Sequence, residues 1–144
     1  MDEKIKKLIL DGNFDEAQKI AKSFDIGYIR ELLIDLCYET ENIIVYSFVY
    51  NMLCKEESSE LHYIASELLS MPLCHVTGAY NSALFHARRA IELDPNNISY
   101  KEYILLFYNL PERLISEYEA KKIAQEVIEK MPNSKAALDI LNIK

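Results

Sequence analysis

The chain has 144 residues, half of them hydrophobic, with only three glycines and four prolines. That length suits one domain with a continuous apolar core, and the shortage of turn formers argues against a sandwich or barrel. The net charge of −7, from 23 acidic and 16 basic residues, disfavours a nucleic-acid partner, because carboxylates and phosphates repel.

Leu, Ile, Ala, Glu and Lys dominate, and all but the β-branched Ile are strong helix formers. An all-α fold is expected, as a single domain over 1–144. Met1 to Lys7 is charged and the apolar run Leu8–Leu10 has three residues, unlike a cleavable leader. The longest apolar stretch, Ile43–Cys54, is broken by Ser47 and Asn51 and falls short of the roughly 20 residues that span a bilayer. A cytoplasmic protein without a membrane partner is the expectation.

In chain order, the first helices are expected at 2–11 and 14–24, joined at Gly12-Asn13. The next pair is 26–39 and 42–54. The second of these is apolar nearly all round, so it is either sandwiched between neighbours or half-covered by a partner. Helices at 58–71 and 79–94 follow, separated by a loop over 72–78. Then come 98–109 and 112–131, with Ser99-x-x-Glu102 read as a capping box and Pro111 as a first-turn residue. A ninth helix, 134–142, would close the exposed end.

These helices repeat. Ala83, Ala87 and Ala90 are followed by Pro95, and Ala120, Ala124 and Val127 by Pro132, 37 residues later. A third copy is Gly12-Asn-Phe-Asp-Glu-Ala17 with Ala21 and Phe24. Small residues at those positions let two helices approach closely, and proline ends the second one. The spacing Ala-x3-Ala-x2-Ala-x4-Pro resembles the second-helix half of the tetratricopeptide repeat, whose period is about 34 residues. The resemblance implies antiparallel helical hairpins stacked in a right-handed solenoid, about nine helices in all. Tetratricopeptide domains that bind peptide C-termini carry a carboxylate clamp of Lys, Asn and Arg. Glu102 and Leu106 occupy positions of that clamp here, so a chaperone-tail adaptor is disfavoured.

No Gly-rich phosphate loop, GxSxG elbow or HExxH motif occurs, so neither enzymatic activity nor a metal or cofactor is expected. Cys37, Cys54 and Cys74 are widely spaced and read as buried free thiols. His86 lies among closely packed alanines and Cys74-His75 in a loop, which does not make a ligand set. Arg88 is expected to pair with Glu92, four residues on.

Charge is more informative. Between Glu31 and Glu67 lie eight acidic residues and one basic residue, Lys55, while the remainder of the chain is neutral. Glu31, Asp35 and Glu39 recur at i, i+4 and i+8, where like charges cost about 0.2–0.5 kcal/mol per pair. The stripe is either a solvated face or a docking surface for a basic partner. Tyrosine adds to this, with ten copies and no tryptophan. Tyr38, Tyr46, Tyr50 and Tyr63 fall in or beside the acidic window, as core-lining residues or as contact residues.

The stretch from Gly78 to Leu93, with Tyr100-Lys-Glu-Tyr-Ile-Leu-Leu-Phe-Tyr-Asn-Leu-Pro-Glu112, resembles small bacterial immunity proteins. Those proteins neutralise the C-terminal toxin domains of wall-associated-protein-A and rearrangement-hotspot-type proteins. The resemblance implies a cytoplasmic antitoxin that binds and occludes a basic nuclease toxin domain. Glu31, Asp35, Tyr38, Glu39, Glu56, Glu57, Glu60 and His62 are the candidate partner-binding residues. The alternative is a generic tetratricopeptide scaffold or peptide-binding regulator, and the chain is expected to be a monomer or a homodimer.

Overall fold

The computed structural model describes residues 2–142, and among these every regular element is helical. The helices are α1 (Asp2–Leu10), α2 (Phe14–Ala21), α3 (Ile26–Thr40), α4 (Ile44–Lys55), α5 (Ser59–Ser70) and α6 (Ala79–Leu93). They continue with α7 (Ile98–Ile104), α8 (Leu106–Asn109), α9 (Glu117–Lys130) and α10 (Lys135–Leu141). Only Leu105 separates α7 from α8, and its backbone is itself helical, so the two behave as one bent unit and the expected number of helices holds. Among the described residues no helix is long and apolar enough to cross a membrane.

Local chemistry explains the helix starts. Asp25 accepts hydrogen bonds from the amides of Gly27 and Tyr28 at 2.8 and 3.1 Å. Ser58 caps α5 through Leu61, Ser116 caps α9 through Glu119, and Ser134 caps α10 through Ala137. Such caps satisfy amides that the helix cannot. Gly12 and Gly78, at φ 81° and 82°, supply the left-handed backbone that reverses the chain before α2 and starts α6.

One apolar core runs from Ile5 to Ile140. Phe48, Leu33, Leu36, Leu68 and Phe107 are fully buried within it, each contributing about 1.5–3 kcal/mol of transfer free energy. The repeat-spaced small residues Ala17, Ala21, Ala83, Ala87, Ala90, Ala120 and Ala124 are all buried. At Ala83 the approach is close enough for Ser66 Oγ of α5 to donate to the Ala83 carbonyl at 2.7 Å. Helix α5 is central, packing on α3, α4 and above all α6. Pro95 and Pro132 follow the ends of α6 and α9, as their missing amide requires.

Several local expectations fail. Residues 112–116 are not helical, because Arg113 takes a positive φ of 44° and the Leu114 amide turns back to the Phe107 carbonyl at 2.9 Å. Pro111 therefore lies in a turn, and α9 starts only after Ser116. Helix α2 ends at Ala21, short of Phe24. Ser99 does not cap α7. Asn97 does, accepting from the Ser99 amide at 3.0 Å, while Glu102 accepts from Ser134 Oγ at 2.5 Å. Cys37 alone is a buried thiol, with Cys54 and Cys74 exposed.

Candidate partner-binding surface

Helix α3 presents Glu31, Asp35, Tyr38 and Glu39 to solvent along one side, with Tyr38 55% exposed. Toward α1 this side opens into a cleft of about 540 Å³ lined by Asp2, Lys6, Asp25, Tyr28, Glu31 and Asp35, among others. Four carboxylates thus face one lysine. Lys6 Nζ lies 3.8 Å from Glu3 and 3.7 Å from Glu39, so a cation from α1 reaches the stripe at Glu39. Among the described residues no ion pair reaches Glu31 or Asp35. Arg30 also borders the cleft, but its guanidinium is committed to Glu67, in bonds of 2.6 and 2.5 Å. The Tyr28 hydroxyl donates to Asp2 at 2.5 Å, and that bond, ahead of burial, raises its pKa.

Sequence reasoning found the α3 acids through their spacing. It missed Asp25 and Tyr28, which sit at the start of α3 outside the 31–67 window, and Asp2, which reaches the same cleft only because α1 lies beside α3. Glu56 sits elsewhere, on the rim of an apolar cleft of about 260 Å³ with Phe24, Ile26, Ile29, Met52 and Leu61. Glu60 is exposed on α5 and borders a small recess with Arg30, Tyr63 and Tyr100. The concentrated window is therefore several surfaces.

Glu57 and His62 belong to none of them. His62 is 5% exposed, which removes it from the partner-binding set. It is buried because α6 covers it. Its Nε2 is 2.7 Å from Glu57 Oε2 and its Nδ1 is 2.9 Å from Nδ1 of His86. Nε2 of His86 is in turn 2.8 Å from the Tyr46 hydroxyl. Arg89 closes the outer end, donating to both Glu57 oxygens at 2.9 Å. The Arg89 and His62 hydrogen bonds hold the Glu57 carboxyl down to about 2. Burial, with His62 second, lowers His86 to about 4. Burial and then Tyr50 raise Tyr46.

The arginines are also redistributed. Arg88 pairs with Glu119 of α9, not with Glu92, which instead receives Arg89 at 2.9 Å. The tyrosines divide. The Tyr63 ring packs against Tyr100, tilted, and Tyr103, edge-on, each at 5.1 Å, and the Tyr103 hydroxyl meets Ser66 and Ser70 at 2.8 Å. Tyr38 and Tyr50 are exposed. Helix α4 packs on α1, α2, α3 and α5, so it is largely sandwiched.

Among the described residues no group of three His, Cys, Asp or Glu side chains is arranged to hold a metal ion. No protein-family model, curated protein or solved structure matches the chain.

Proposed function

We propose that the chain is a protein-binding module that takes a basic partner on the α1/α3 face. The observation that carries this reading is that Glu31 and Asp35, exposed and without an ion pair among the described residues, line one open cleft together with Asp2 and Asp25. Like charges held four residues apart work against the helix, and a complementary basic surface relieves that cost while speeding encounter. Tyr38 and Tyr28 add rigid amphipathic contact area at the same face. Glu56 and Glu60 extend the negative field without sharing the cleft.

In its specific form the proposal is a cytoplasmic antitoxin whose hairpins stack in a tetratricopeptide-like, right-handed solenoid. The repeat-spaced buried alanines support the stacking. The carboxylates of α1 and α3 would stand in for the phosphates that a nuclease toxin binds, occluding its active site. The test is binding of the purified protein to a candidate basic toxin domain from a neighbouring gene. A complex at micromolar concentration, weakened steeply by salt and by Glu31→Lys with Asp35→Lys, is expected. No complex, or one indifferent to both, overturns the reading.

A further inference from the structure

Protonation rules constrain the Tyr46–His86–His62–Glu57 chain. Two imidazole nitrogens 2.9 Å apart need one proton between them. Glu57 is an acceptor, so His62 donates from Nε2. A neutral His62 then has a bare Nδ1, His86 must donate from its own Nδ1, and His86 Nε2 is left to accept from Tyr46. Every bond runs from Tyr46 toward Glu57.

One added proton reverses part of this without breaking it. A proton from solvent binds the Tyr46 oxygen as the Tyr46 proton passes to His86 Nε2. The His86 Nδ1 proton then passes to His62 Nδ1. His62 ends as an imidazolium between Glu57 and His86, and His86 ends neutral with its proton on Nε2, donating to Tyr46. The Tyr46 hydroxyl proton, no longer used inward, turns away from His86. A second proton cannot be accommodated, because it places an N–H on both sides of the 2.9 Å contact.

We propose that His62 and His86 form a proton-operated latch between α5 and α6, tied to α4 through Tyr46, that reverses direction with one proton and opens with two. The groups facing the pair are Tyr46 from α4 with Tyr50 beside it, Glu57 from the α4–α5 link, and Arg89 with Glu92 from α6. Glu57 lies between the Arg89 charge and His62, so the first proton meets a carboxylate and not the guanidinium. Phe85, 61% exposed, covers the pair edge-on, 6.4 Å from His62 and 5.1 Å from His86. Burial that holds His86 to about 4 agrees with a late second proton. Interacting sites of this kind titrate as a pair, in separated steps. No member of the latch lines the α1/α3 cleft, so it stands apart from the partner-binding reading.

Long-range proton–nitrogen correlation spectra of the full-length, nitrogen-15-labelled protein, followed from pH 9 to 3.5, test it. Exposed His75 serves as the reference. His86 is expected to carry its proton on Nδ1 at high pH and to move it to Nε2 while still neutral, as His62 becomes doubly protonated. Near pH 4 both rings charge, and proximity signals between His62 and His86 are lost. Glu57→Gln is expected to lower the first step by about one pH unit or more. Tyr46→Phe, which removes the acceptor that the one-proton state needs, lowers it as well. A His86 that keeps one tautomer throughout, rings that charge in a single step, or a first step unmoved in both variants overturns the latch.

Discussion

Arg30 of α3 grips both carboxylate oxygens of Glu67 on α5, an acid whose side chain is only 4% exposed. The guanidinium also lies 5.7 Å from the centre of the Tyr63 ring. Arg30→Ala would leave a buried carboxylate without its partner. A loss of about 3 kcal/mol is expected, with a smaller loss for Glu67→Gln, whose neutral amide still accepts a hydrogen bond. Urea denaturation of the two variants at pH 7 checks the order. Equal, sub-kilocalorie effects would mean that the pair does not hold α3 on α5.

Acid should destabilise the protein through His86. Its pKa lies near 4 in the folded state against about 6.5 when unfolded. The unfolded chain therefore binds more protons between these values. The stability is present above pH 6.5 and is lost as pH falls toward 4, by about 3 kcal/mol. Glu57, held to about 2, acts in the same direction at lower pH, its contribution lost from about 4.5 downward. Denaturation midpoints from pH 7.5 to 4, compared between the parent and His86→Gln, should show the slope flattened in the variant. Parallel slopes would contradict the assignment.

Reversing Glu31 and Asp35 should leave the fold alone. Both are exposed, and surface changes of this kind shift stability by about 0.5 kcal/mol or less. The association rate with a basic partner, measured by stopped flow at low salt, should fall about tenfold or more. A large drop in thermal midpoint without a change in association would show the acids to be structural.

Thiol chemistry separates the cysteines. Cys54 and Cys74 are exposed, whereas burial pushes the Cys37 thiol up to about 11, far from the reactive thiolate. An aromatic disulfide reagent at pH 8 should titrate two thiols quickly and the third only after denaturant is added. Three fast thiols would mean that α3 opens readily.

The closely packed alanines supply the last expectation. Ala83 is fully buried where Ser66 bonds to its carbonyl. Ala83→Leu should cost about 1–3 kcal/mol by overpacking, whereas a leucine at neighbouring, exposed Ser82 should not. Calorimetry on the two variants distinguishes them.

Helix positions were legible because they are local properties. Apolar periodicity, prolines after α6 and α9, and small residues at fixed spacing each act within a few turns of backbone. The misreadings at 112–116 and Ser99 are local too, but bonds reaching beyond the adjacent helical turn decided them. The Leu114 amide returns to Phe107, and Ser134 takes the acid that a capping box needed.

Charge patterning gave half of the candidate site. The i, i+4 spacing set Glu31, Asp35 and Glu39 along α3 before any packing was known, because side-chain spacing on a helix follows from its pitch alone. Packing decided the rest. Only the placement of α1 beside α3 brought Asp2 and Lys6 to those acids, and only the cover of α6 over α5 buried His62 against His86, 24 residues away. Sequence states which groups are charged. Which charges meet, and which lose water, depends on distances between helices that no single segment contains.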